Sequence, residues 1–289
     1  MFQIIGIVLL FALVFGSYII SGGNMGVIMH ALPHEMMAIG GAGVAAFLIS
    51  NSVPVIKASL GGFGKVFAGP KWKAADYRDL LSLLFLLTKT MKSKGVIALE
   101  SHIENPKEST IFSRFPKIMK DHFAIDFICD TLRMMTMNLE DPHQIEDAME
   151  KQLEKHHHEA LAPAGALQNL ADALPALGIV AAVLGVIKTM GSITEPPEVL
   201  GGMIGGALVG TFLGVFLAYG LVGPFAARLK EIIEEEGSFY KIIQSVLVAH
   251  LHGNAAQISV EIGRGRVPSG AQPSFLELEE ALSAIPAEA

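Results

Sequence analysis

The sequence predicts an all-α integral membrane protein with four transmembrane helices and a large helical cytoplasmic domain between the second and the third. Three observations predict it. Mean hydropathy is +0.48 and only 17% of the residues are charged, against about 25% in an ordinary soluble domain. Four stretches stay apolar over roughly the 20 residues that a bilayer span requires. Elsewhere apolar residues recur at helical spacing, and no alternating strand pattern persists.

The first span is about Phe2–Ile20, with no charged side chain. It lacks a basic leading region, and Ile19-Ile20-Ser21-Gly22-Gly23 is a poor cleavage site, so it is expected to be a retained helix rather than a signal peptide. The second is about Met36–Val53, also uncharged. The third is about Leu174–Met190, with Lys188 near its far end, and the fourth about Val199–Gly223. With these boundaries no Asp, Glu or His sits deep in any span.

Lys and Arg set the expected orientation. Residues 53–170 hold 15 of the 21, residues 225–289 hold five, and the connections 21–35 and 191–198 hold none. Positive residues stay on the cytoplasmic side, so both termini and the long central segment are expected there. The expected organisation is 1–56 for the first two spans, 57–168 for the cytoplasmic helical domain, 169–224 for the last two spans, and 225–289 for a cytoplasmic helix and tail.

Within the central segment, Leu80, Leu81, Leu84, Leu87, Thr88 and Met91 form one stripe of a helix over 76–93, and Gly95 suits the position just past its end. Residues 111–137 read as another amphipathic stretch, bent at Pro116. Asp141-Pro142-His143-Gln144 reads as a helix start, with a cap, a proline in the first turn and a capping-box partner. Residues 225–251 continue the fourth span as a helix whose Glu234, Glu235 and Glu236 face water. Residues 263–273 are loop-like, and 275–285 suit a short terminal helix.

Several function classes fall away. The net charge of −7 argues against nucleic-acid binding. A single cysteine, Cys129, makes neither an intrachain disulfide nor a multi-cysteine metal site, and its apolar neighbours suggest core packing. His156, His157 and His158 are consecutive, so on a helix they point about 100° apart and cannot converge on one ion; they read as a solvated helix end. Gly61-Gly62-Phe63-Gly64-Lys65 fails the phosphate-loop pattern, because Ser59 and Val66 stand where a glycine and a Ser or Thr are needed. No pair of groups has the spacing of a catalytic site. No enzyme, metal or cofactor is expected.

The spans themselves are more informative. Gly202, Gly206, Gly210 and Gly214 fall four apart, a small-residue face that lets helix backbones approach closely. Pro175, Gly178, Ala182, Gly185 and Thr189 make a parallel stripe on the third span. Thr211 is the only hydroxyl in the central part of the fourth. Its hydroxyl either bonds back to its own helix or marks a polar spot on a narrow ion path. Pro175 and Pro224 are either ordinary helix ends or a pair of bends. With no titratable group deep in the spans, a moving proton would need a carboxylate from another helix, one that packs on the small-residue stripes.

Six blocks of sequence resemble the MotA family of flagellar motor stator subunits, within the larger group that includes TolQ and ExbB. They are Phe15-Gly16-Ser17-Tyr18; Leu99-Glu100-Ser101-His102-Ile103-Glu104-Asn105-Pro106; Leu174-Pro175-Ala176-Leu177-Gly178-Ile179-Val180-Ala181-Ala182; Val209-Gly210-Thr211-Phe212-Leu213-Gly214; Ala218-Tyr219-Gly220; and Pro273-Ser274-Phe275-Leu276-Glu277-Leu278-Glu279-Glu280. The resemblance implies a ring of five such subunits around two copies of a MotB partner, whose transmembrane aspartate carries the proton. It implies that Pro175 and Pro224 couple ion flow to movement, and that Thr211, Thr189 and Ala182 lie along the ion path. It implies that Lys92, with Lys89 and Lys94 as neighbours, and Glu100 press on the rotor protein FliG. Sodium-driven relatives tend to carry threonine where Ala182 stands, so protons are the expected ion and sodium is not. A TolQ- or ExbB-type energiser of envelope transport is the alternative; such relatives generally have three spans and an outside N-terminus.

Overall fold

The computed structural model describes residues 2–137 and 141–285. Among them every regular element is helical. In chain order these are α1 (Phe2–Ile20), α2 (Met25–Ser50), α3 (Val53–Ala68), α4 (Ala74–Lys94), α5 (Glu100–Glu104), α6 (Pro116–Met119), α7 (His122–Thr136), α8 (Pro142–Met190), α9 (Pro197–Leu251), α10 (Ala256–Arg264) and α11 (Phe275–Ser283). Four of them, α1, α2, α8 and α9, are long and apolar enough to cross a membrane. The chain divides into two compact units, one of residues 1–69 and 160–232, the other of residues 70–159 and 233–289. The first holds the apolar spans; the second combines the large helical segment between the second and third spans with the helices that follow the fourth.

In the membrane unit, α1 packs on α9 through aromatic rings: Phe11 meets Phe216 edge-on at 5.3 Å and Phe15 meets Phe216 at 5.6 Å. A small core of Ile39, Leu174, Ala181, Leu213 and Ala218 joins α2, α8 and α9. The second span begins at Met25, eleven residues before the expected Met36. Asn24 caps it, its side chain accepting the Gly26 N–H at 2.8 Å. The helix then continues through Pro33 into a π-helical stretch at Met36–Gly40. This corrects the expectation of spans without deep titratable groups, because His30, His34 and Glu35 lie inside α2. The glycine-rich 61–65 segment lies inside α3. A helix there cannot wrap a phosphate. Gly62 instead lets Leu229 of α9 approach, with a leucine methyl 2.6 Å from where a Cβ would stand.

The second unit is built around α4. From Leu80 to Met91 only Lys89 is exposed, so α4 is a central helix and not the one-sided amphipath expected. α10 covers a face of it: Gly263 packs against Val246, Leu81 and Ile242. Trp72 stacks on Phe239 at 3.8 Å with rings 7° from parallel. Gly95 ends α4 with φ +82°, its N–H donating to the Met91 carbonyl, as glycine permits at a helix end. The stretch expected as one bent helix over 111–137 is three pieces: a 3₁₀ turn at Phe112–Arg114, α6, and α7. Asp121 makes that break. It caps α7 by accepting the Ala124 N–H at 2.8 Å, binds the Lys71 ammonium at 2.7 Å and accepts the Tyr240 hydroxyl at 3.0 Å. Burial pushes its carboxyl up, but these three donors outweigh it and hold the group below the usual carboxylate range.

Two further expectations are corrected in this unit. The triple histidine is no helix end, since α8 runs on to Met190; His156 stacks on Phe123 at 3.5 Å with Tyr240 edge-on at 5.2 Å. Of the three consecutive glutamates, Glu234 is exposed but Glu236 turns inward and accepts the Lys71 backbone N–H at 3.0 Å. The expected cap at Asp141 is present, accepting the His143 N–H at 3.0 Å. Cys129 is buried in the core, as its neighbours suggested, and burial pushes its thiol up to about 12.

Candidate functional site

The site is built where α8 and α9 cross. Their backbones meet at glycines: a Cβ on Gly214 would lie 2.6 Å from the Leu174 carbonyl oxygen and 2.9 Å from the Gly178 Cα. One on Gly178 would lie 2.9 Å from the Gly210 carbonyl oxygen, and one on Gly185 would lie 2.7 Å from the Ala207 Cβ. Only residues without a side chain allow such an approach, which is how helices bind one another in lipid.

The glycine stripe of α9 divides among neighbours. Gly214 faces α8. Gly210 faces Glu35 of α2, whose Oε2 is 2.5 Å from the Cβ position, and Ala181 of α8 at 3.4 Å. Gly206 faces Ala31 at 3.8 Å, and Gly202 has nothing within 4 Å. Gly202, expected to pack with the others, therefore meets nothing among the described residues.

The two threonines differ. Thr189 is buried and its hydroxyl donates to the Gly185 carbonyl at 2.9 Å, the back-bond common in apolar helices. Thr211 is half-buried, and its hydroxyl has no hydrogen-bond partner among the described residues. Ala182 is half-buried on α8. Pro175 and Pro224 end neither helix, which corrects the reading of them as helix ends. Pro175 lies inside α8 and Pro224 inside α9. Before Pro224 the helix widens into a π-helical stretch, Phe216–Val222, and the Gly223 N–H bonds the carbonyl of Ala218, five residues back. Such widening relieves a helix that meets a proline ring and a missing donor.

The second unit presents the charged residues. Lys92 lies in the last turn of α4 and Glu100 opens α5; both are exposed, and neither forms an ion pair among the described residues. Buried Met91 and Leu99 fix the chain on either side. Lys89 is placed differently, its ammonium 5.6 Å over the Phe85 ring. Glu104, four residues past Glu100, is already engaged by Arg133 at 2.9 Å. The sequence pattern did not single out Arg133. It also binds Asp130 at 2.7 Å, and that i,i+3 pair was the available signal. Among the described residues no cluster of His, Cys, Asp or Glu could hold a metal ion.

Comparison with known proteins places this geometry. The family profile "Motility protein A N-terminal" matches residues 4–95, and "MotA/TolQ/ExbB proton channel family" matches residues 120–241. Motility protein A of Salmonella typhimurium is 39% identical over 285 residues, spanning 99% of this chain and 96% of that protein. The chain belongs to the motility protein A family. The Escherichia coli motility protein A is also 39% identical, and Chemotaxis protein LafT of Vibrio parahaemolyticus is 33% identical over 97% of this chain and 98% of its own length. Two solved structures share the fold: a C. jejuni MotAB structure (TM-score 0.72, 20% identity, 94% of this chain and 98% of that one) and the flagellar MotAB stator complex of Bacillus subtilis (TM-score 0.71, 22% identity, 96% and 100%). The glycine crossing and Thr211 lie within the segment that matches the MotA/TolQ/ExbB profile.

Proposed function

We propose that this multi-pass membrane protein is the stator subunit of a bacterial flagellar motor, one that turns ion flow into torque. The observation that carries this is the near-complete match, 39% identical over 99% of the chain, to proteins named motility protein A. The motility-named relatives favour this reading over an envelope-transport energiser. The work is stator work and not catalysis of a covalent reaction.

In this reading a MotB-type partner supplies a transmembrane aspartate, and its helix lies against exposed apolar faces of α8 and α9, such as those of Val183 and Leu208. Five copies of this chain surround two of the partner in the inner membrane, with both termini cytoplasmic. Protons are the coupling ion, because Ala182 offers a methyl where a hydroxyl would help coordinate sodium. Each unit charge crossing 100 mV releases about 2.3 kcal/mol. Protonation of the partner aspartate changes how its helix packs on the exposed sides of α8 and α9, beside the glycine crossing that holds these two helices together, and Thr211 lends its free hydroxyl to the path. Pro175 and Pro224 leave their helices short of backbone bonds, so the helices bend there at low cost. Lys92 and Glu100 then act on opposite charges of the rotor protein FliG.

Two measurements test this. Swimming should be stopped by a protonophore and be indifferent to sodium; sodium dependence would overturn the ion assignment. Lys92→Glu and Glu100→Lys should each cut torque while membrane assembly stays intact. Normal swimming in both single variants and in the double would overturn the rotor contact.

A further inference from the structure

Stator action as described takes its acid from a partner, yet this chain holds a half-buried acid of its own among its spans. Glu35 is the eleventh residue of α2, which puts it about 15 Å from one end of the helix and about 22 Å from the other. The Gly210 it faces lies near the middle of the apolar stretch 199–223 of α9. Its Oε2 is buried and has no hydrogen-bond partner among the described residues. The surface it meets is Gly210, with Ala181 beyond, and neither offers a side-chain donor.

It forms no ion pair among the described residues. On α2 itself the titratable neighbours are His30 and His34, both exposed. The membrane part of α8 carries only Asp172 and Lys188, nine and seven residues from Ala181. The membrane part of α9 carries Glu198, Arg228, Lys230 and Glu231, none within eleven residues of Gly210. α1 carries no charged residue. An unpaired ionised carboxylate is costly in such a place, and acids kept there are characteristically functional. A bare metal cation would need several oxygen ligands, and Gly210 and Ala181 supply no side-chain oxygen. A proton needs none.

We propose that Glu35 is a proton-binding site on this chain's own side of the ion path. The inference rests on the stator reading above. A proton arriving along the path forms an O–H bond at the Glu35 carboxylate. It then leaves to the next carboxylate, the partner's aspartate, with no electrons exchanged. Two features beside it suit an exchanging group. The π-helical turn Met36–Gly40 starts directly after it, and such turns gather at functional positions. Gly210 leaves room for the carboxyl: an added Cβ would collide with it. Thr211 follows Gly210, turned about 100° around the same helix.

The test uses the complete complex with its partner subunit in vesicles, reading proton uptake under an imposed potential across pH. E35Q keeps the shape of the side chain and removes the titration. It should lower flux at least tenfold and flatten its pH profile, while E35D should keep flux and shift the profile. Infrared difference spectra across the titration should lose one protonated-carboxyl band in E35Q. Wild-type flux and an unchanged profile in E35Q would overturn the proposal. If E35Q does not assemble, E35D decides: an unshifted profile overturns the proposal. If the native complex conducts no protons, the stator reading itself fails, and the infrared titration still decides whether Glu35 takes up a proton.

Discussion

One methyl group added at Gly214 should push α8 and α9 apart. A Cβ there would lie 2.6 Å from the Leu174 carbonyl oxygen and 2.9 Å from the Gly178 Cα, both of them backbone atoms. No rotamer change can relieve that overlap, so the two helices must separate by about 0.8 Å to restore ordinary contact. Leu174, Ala181 and Leu213 are buried at this crossing, and a gap of that size forfeits a quarter to a half of each pair attraction. Overpacking of this kind costs about 1–3 kcal/mol, or roughly 5- to 150-fold in an equilibrium. Gly202→Ala is the matched control, because nothing lies within 4 Å of that position. Each change also gains up to about 1 kcal/mol of helix propensity, and the comparison between them cancels it. Thermal unfolding in detergent should place G214A well below G202A. Coincident midpoints would refute the claim that backbone contact at this crossing holds the membrane unit together.

Asp121→Asn should destabilise the second unit by about 1–3 kcal/mol, since it leaves the Lys71 ammonium without its partner. Because the folded Asp121 carboxyl sits below its ordinary value, its contribution is full above about pH 4. It is lost as pH falls through the folded value, so acid titration should unfold the native chain more steeply than the Asn variant. Trp72→Ala, which removes the ring stacked on Phe239, should cost about 3–5 kcal/mol in a chemical unfolding curve. Cys129, buried and with its thiol pushed up to about 12, should resist maleimide at neutral pH and label at once in denaturant. Pro224→Ala should restore a backbone donor and raise the unfolding midpoint, while motility falls.

The fold class and the four spans were legible because hydropathy and helical periodicity act over long windows. The small-residue stripes were legible as spacing, but spacing could not say that Gly178 and Gly214 would pack on each other rather than on another chain's helix, nor that Gly202 would face nothing. Boundaries were less legible. The second span was read from Met36 because His30, Pro33, His34 and Glu35 lower the local hydropathy, and a window average cannot tell a polar helix end from a polar group placed inside a span. The cap that starts the helix is one side-chain bond, Asn24 to Gly26, far below the resolution of a window. The same holds for Asp121, whose capping bond breaks an apparently continuous amphipathic stretch.

The missed acid and Pro224 have a common physical root. A helix in lipid must satisfy its own backbone, so any residue that breaks this rule has to be compensated locally. Pro224 removes one donor, and the chain answers with the π-helical stretch Phe216–Val222. A π turn adds one residue to a turn of helix, so faces before and after it fall out of register by about 100°. A stripe read at spacing four therefore holds only as far as Val215 on α9. The π turn at Met36–Gly40 on α2 re-aims residues in the same way, immediately after Glu35. Helical spacing is thus dependable on α8 and the first half of α9, where it located the glycine stripes. It misleads beside the π turns, where the backbone departs from 3.6 residues per turn and where an acid and a proline can be accommodated at the membrane's interior.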